Sequence, residues 1–136
     1  MNREIKFRGY GIAEKKWMYG YGLHEVIYRY ENGETKATWL TTDIKNISMV
    51  HDKSAGEYTG IKDYEGKEIY EGDIVEVEIM ESIFDDSKLI GVVEMIEGCW
   101  CVVNDKKKVA KNLWSEMDVN RVIGNIYENK ELLEVE

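Results

Sequence analysis

Apolar and polar side chains alternate with the period of a half-buried strand along most of this chain, and helical periodicity is scarce. In "YRYENGETKATW" the pair Asn32-Gly33 stands between two alternating runs, a strong short-range hairpin signal. A two-residue loop there predicts Tyr30 opposite Thr35, Tyr28 opposite Ala37 and Val26 opposite Trp39, an apolar and aromatic face directed to the core. The other face sets Glu31 against Glu34 and Arg29 against Lys36, with opposite charges on the diagonals, and reads as solvent-facing.

A second hairpin is predicted in "LIGVVEMIEGCWCVV", turning at Glu97-Gly98 with Met95 opposite Trp100 and Val93 opposite Val102. Its partner face holds Val92, Ile96, Cys99, Cys101 and Val103 around Glu94 alone, so Leu89 to Val103 is apolar on both sides. Such a pair is covered twice, either inside the chain or at a subunit contact. "EIKFRGYGI" and "KWMYGYGL" predict two short strands, and "RVIGNIY" a closing one. "NKELLEVE", with Asn129 as N-cap, predicts a short C-terminal helix, and "KKVAKNLW" a further helical turn. The polar stretch "HDKSAGE" marks a soft boundary between an N-terminal β lobe, residues 1–55, and a second lobe, residues 56–136. Proline is absent, which leaves the turns to Gly, Asn and Asp.

Composition narrows the function classes. The 136 residues, 43% apolar, suffice for one ordinary domain or two small lobes. Two cysteines separated by one residue close no useful disulfide loop, and no run nears the roughly 18 apolar residues of a membrane span. A cytoplasmic protein without membrane contact is expected. The net charge of -9 is uneven. Residues 65–86 carry nine acids against one lysine, a segment charge of -8, whereas residues 104–121 carry five bases against three acids, or +2. So acidic a chain gains little from counterion release on duplex nucleic acid.

The glycine-marked stretch "YTGIKDYEGKEIYEGDIVEVE" invites a phosphate-loop reading and fails it. Gly60, Gly66 and Gly72 are six apart, Gly66-Lys67 is followed by Glu68, and a strand rather than a helix comes next. The glycines read as turn residues that launch Val75, Val77 and Ile79. The acidic run lacks the alternate oxygen spacing of a calcium loop and reads as a solvated, edge-protecting face. Cys99 and Cys101 supply two of the four ligands that a closed zinc site needs, and His24 and His51 have no paired spacing. Trp17, Tyr19 and Tyr21, with Tyr28, Tyr30 and Trp39, read as core aromatics, the alternative being a base-stacking platform flanked by Lys6, Arg8, Lys15 and Lys16. No serine-hydrolase, zincin or Cys/His constellation is present. No enzymatic activity, cofactor or metal is expected.

Four segments in order, "REIKFRGY", "YTGIKDYEGKEIYEGDIVEVE", "GVVEMIEGCW" and "VIGNIYENKELL", resemble the YopX-like proteins of bacteriophages and prophages. Lys130 stands where that pattern has proline, which affects the entry to the tail helix. The resemblance implies an SH3-like barrel in the C-terminal half, with Gly72-Asp73 opening a barrel strand and Val122 to Tyr127 helping to close it. It implies no activity and no catalytic residue. The expectation is a mainly β, phage-encoded interaction or assembly module that forms a homo-oligomer, with a host or phage protein as a further partner. The alternatives are a nucleic-acid binder using Lys106, Lys107, Lys108, Lys111 and Trp114, and an acidic DNA mimic that blocks a host protein.

Overall fold

The computed structural model describes residues 4–79 and 88–134. These form antiparallel β structure in two compact units, 1–58 and 59–136.

In the first unit β1 (Phe7–Tyr10) pairs with β2 (Trp17–Gly20), matching the two short strands expected from the sequence. Arg8 lies with its guanidinium 4.6 Å from the centre of the Trp17 ring, and Tyr10 meets that ring edge-on at 5.7 Å. A three-stranded sheet follows in the order β3 (Gly22–Tyr30), β4 (Gly33–Thr41), β5 (Ile47–Val50). Among the described residues β3 is therefore an edge strand.

The β3–β4 register differs from expectation by two residues. Tyr30 pairs with Gly33, Tyr28 with Thr35 and Val26 with Ala37, so the loop is Glu31-Asn32. Gly33, at φ +144°, takes the conformation that a side chain resists. The shift also relieves the like-charge opposition: Arg29 now faces Glu34 and binds it at 3.1 Å, and Lys36 reaches Glu25 at 3.5 Å. The expectation of an aromatic core face is overturned as well. Tyr28 and Tyr30 are exposed, whereas the buried residues are Thr38 and Leu40 on the opposite face. β5 pairs only with Thr38 to Thr41, so residues 25–36 extend beyond it and stay exposed on both faces.

Two turns of this unit are fastened by carboxylates. Glu14 accepts a hydrogen bond from the Ser48 hydroxyl at 2.7 Å, and this bond, followed by its own backbone N–H, holds its pKa below the usual carboxylate value. Asp43 is lowered in the same direction, first by the Asn46 side chain and then by the Lys45 N–H. A carboxylate lowered on folding contributes stability above its unfolded pKa and loses that contribution as pH falls through the folded one. Urea unfolding across an acid series should therefore show the first unit weakening below the ordinary carboxylate range. Glu14→Gln with Asp43→Asn should flatten that acid limb; an unchanged limb would assign it to other groups.

β6 (Gly56–Lys62) begins in the first unit, where Gly56 and Glu57 pair with Arg8 and Phe7, and ends in the second beside β7 (Glu68–Tyr70). The second unit then forms β8 (Asp73–Ile79), β9 (Lys88–Ile96), β10 (Cys99–Asn104), β11 (Val109–Asn112) and β12 (Asp118–Asn125). Their order is β11-β10-β9-β8-β12. One face carries the core, with Ile69, Val75, Val77, Leu89, Val93 and Val102 fully or almost fully buried. The Glu97-Gly98 turn has the expected register, with both turn residues at positive φ. On the second face of that hairpin Ile90, Val92 and Val103 are half-buried, while Ile96 and Cys99 are exposed.

The glycine-marked stretch is framework. Gly60, Gly66 and Gly72 all sit at positive φ, and no helix follows them. The later part of the acidic run, residues 80–86, lies outside the described residues. In its earlier part Glu76 pairs with Lys88 at 3.6 Å.

Three expectations for the second unit need correction. The sheet is not a closed barrel among the described residues, because no ladder joins β11 to β12. "KKVAKNLW" forms β11 instead of a helical turn, since Val109 to Asn112 complete the ladder with β10. The tail forms a single 3-10 turn, Lys130–Leu133, in place of an α-helix. Asn129 does not cap it. Its side-chain oxygen accepts the N–H of Asn125 at 3.2 Å, folding back over Gly124. Val135 and Glu136 lie outside the described residues.

Candidate functional site

The second unit carries an open hollow of about 420 Å³ between the end of β6 with the turn that follows it, the segment after β11 and the start of β12. Asp63 builds one wall. Its Oδ1 accepts the N–H groups of Glu65 and Lys67, both at 2.9 Å, and its Oδ2 accepts that of Val122 at 3.0 Å. An aspartate that gathers the N–H groups two and four residues ahead is a turn former, and here the turn is also fixed to β12. Tyr64 is placed by its N–H, which donates to the Asn120 carbonyl, and the Arg121 guanidinium lies 5.2 Å from its ring centre.

The opposite wall begins at Leu113, fully buried and bonded through its N–H to the Trp100 carbonyl. Trp114 follows, 64% exposed at the rim. At the floor, Asp118 and Asn120 project from β12 on the side of Val122. The Asp118 side chain is 2% exposed and forms an ion pair with Lys111 at 3.0 Å without hydrogen-bond geometry. Asn120 donates to the Leu113 carbonyl at 2.8 Å, while its Oδ1 is buried without a hydrogen bond. The hollow therefore has an aromatic rim, with the carboxylate of Asp118 and the amide oxygen of Asn120 buried beneath its floor. A buried acceptor lacking a donor is costly, and the Lys111 ammonium offsets that cost at Asp118.

The structure places the five expected surface residues in two groups. Lys106, Lys107 and Lys108 form the exposed turn between β10 and β11, where Asn104 Oδ1 accepts the Lys107 N–H at 2.9 Å. Lys111 is held by Asp118, and Trp114 belongs to the rim of the hollow. Sequence reasoning missed Asp63, Tyr64, Asp118 and Asn120. An Asp three residues before a glycine was the available signal for the first; the others are joined only by the fold.

A second hollow, also about 420 Å³, lies in the first unit on the aromatic face of the hairpin, against Tyr28, Tyr30, Ala37, Met49 and Asp52. No group of three or more His, Cys, Asp or Glu side chains suited to a metal lies together among the described residues. None of the helices there is long and apolar enough to cross a membrane. Burial pushes the Cys101 thiol upward in pKa, with the neighbouring Cys99 adding to the shift.

The fold and its hollows define a mainly β, antiparallel protein. The family model described as "YopX protein" matches residues 6–134, nearly the whole chain, and the chain belongs to that family. Protein yopX from Bacillus subtilis has a similar crystal structure, with a TM-score of 0.54 and 20% identity over 98% of each chain. Protein EF1440 from Enterococcus faecalis aligns at 0.48 and 19% identity over 97% of this chain and 99% of its own. Comparison with curated proteins gives no match.

Proposed function

We propose that this protein is a phage- or prophage-encoded interaction and assembly module without enzymatic activity, working in the cytoplasm of the bacterial host and associating with itself. The observation that carries this reading is the exposed apolar face of the β3–β4 hairpin, where Val26, Tyr28 and Tyr30 lie side by side and exposed, with Ile27 exposed on the opposite face. A contiguous apolar surface of that kind on a small domain marks a contact with another macromolecule. Met95, Ile96 and Cys99 add a second exposed group at the end of β9 and β10. The second unit is read as SH3-like on its strand order: a meander from β8 to β11 with β12 returning beside β8. Such folds serve many kinds of contact, so the surface and not the fold supports the assignment.

Size-exclusion chromatography with light scattering at roughly tens of micromolar, where modest self-association becomes visible, tests the reading. A mass of two or more chains is the expected result. A monodisperse monomer would remove self-association.

The nucleic-acid reading is favoured by the exposed Lys106 to Lys108 turn and weakened by the capture of Lys111. Failure to bind single-stranded RNA or DNA at low salt would end it. The DNA-mimic reading rests on the segment charge of -8 and has no further support in the described part of that segment.

A further inference from the structure

We propose that two copies of this chain join through the free edge of β3, paired antiparallel about Ile27; this deepens the assembly reading above and rests on it. β3 is a nine-residue edge strand whose outer half is exposed on both faces, and such edges are a liability unless something covers them. The usual protections are weak here. Gly22–Tyr30 contains no proline or lysine, and its register with β4 runs without a bulge from end to end.

The sequence of the edge says what covers it. A two-fold axis perpendicular to the sheet keeps each face on its own side, so a residue can oppose only residues of its own parity. Centred on Ile27, this pairing places Glu25 opposite Arg29 of the second copy, and Arg29 opposite Glu25. Val26 then meets Tyr28, and His24 meets Tyr30, each pair occurring twice, while Ile27 meets itself. Moving the centre to Val26 sets Glu25 against Ile27 and Arg29 against Leu23, and both charge matches are lost. Charges symmetric about one residue match a second copy of the same strand, whereas a peptide of unrelated sequence has no need of that symmetry.

The pairing also extends interactions already present. Arg29 is bound to Glu34, and Glu25 to Lys36, across β3 and β4. Joining the two edges yields a row running Glu34, Arg29, then Glu25 and Lys36 of the second copy, alternating in sign throughout. The two three-stranded sheets become one of six strands, with Tyr28 and Tyr30 brought into an aromatic and aliphatic cluster on one face.

Charge reversal and complementation test this directly. In E25R the edge carries two arginines, and in R29E two glutamates, so each variant repels its own kind while remaining complementary to the other. All these side chains are exposed, and far-UV circular dichroism checks that each variant folds. Light scattering should show E25R alone and R29E alone at a smaller mass than the unaltered protein, with self-affinity reduced at least about tenfold. An equimolar mixture should return to the original mass. An unaltered protein that associates, with both variants associating equally well, would overturn the β3 pairing and leave the assembly reading intact. Variants that dissociate alone and fail to recombine would also overturn it. An unaltered protein that stays monomeric would overturn both.

Discussion

Asp63→Ala is expected to destabilise the second unit by about 3 kcal/mol, because three backbone N–H groups lose one shared acceptor and each orphaned donor costs roughly 1 kcal/mol or more. The residue is almost fully buried, at 9% exposure, so water has little access to replace it. Asp63→Asn separates shape from hydrogen bonding. Its amide oxygen can still serve Glu65 and Lys67, but an NH2 group would then confront the Val122 N–H, for a cost of about 1–2 kcal/mol. Urea denaturation followed by circular dichroism orders the three proteins. If Asp63→Ala stayed within about 0.5 kcal/mol of the unaltered chain, solvent would be reaching this turn and the hollow beside it would lack a fixed wall.

Gly91→Val should cost about 3 kcal/mol, the upper end of the range for overpacking. Valine is much the better strand former, so local propensity predicts the opposite sign. Packing decides. A Cβ at Gly91 would lie 2.5 Å from the Val103 carbonyl oxygen, 2.8 Å from its carbon and 2.9 Å from a Val102 methyl. The first two atoms belong to the backbone of the β9–β10 ladder and cannot move aside as a side chain can. Gly91→Ala should show a smaller loss with the same sign. Neutral or improved stability in both would mean that β9 shifts as a whole, which hydrogen exchange at Val92 and Val93 would reveal.

The difference between the two hairpins explains how much of the fold was legible in the sequence. Glu97-Gly98 puts both of its residues at positive φ, so the dipeptide alone determines the loop and its register. At Asn32-Gly33 the same rule chose the wrong pair, because Gly33 opens β4 and the loop lies one step earlier. The charges carried the correction: the register adopted is the one that sets Arg29 directly against Glu34. The burial error at Tyr28 and Tyr30 has a different source. Alternation shows which side chains share a face, but only the length of the neighbouring strand decides whether that face is covered, and β5 has four residues.

The hollow of the second unit was hidden for a third reason. Lys111 and Asp118 lie seven residues apart in sequence, at the two ends of a five-stranded sheet that its curvature brings together. A lysine that reads as part of a basic surface thus becomes the partner of a buried carboxylate. Trp114, in the connection between those strands, was legible as an exposed aromatic and illegible as a rim.

The position of β12 bears on how the chain folds as it is synthesised. Strands β1 to β5 find all their ladder partners within the first 58 residues, so they can assemble as soon as that length has emerged. β8 must wait for a strand that begins 45 residues after its own start, at Asp118, and until then one of its edges is unpaired beside the acidic row of Glu76 and Glu78. Those like charges discourage two nascent chains from pairing there in the interval. The turn at Asp63 is likewise incomplete until Val122 arrives, fifty-nine residues later. The acidic run is then a guard for an unfinished sheet, needed most before the native structure exists.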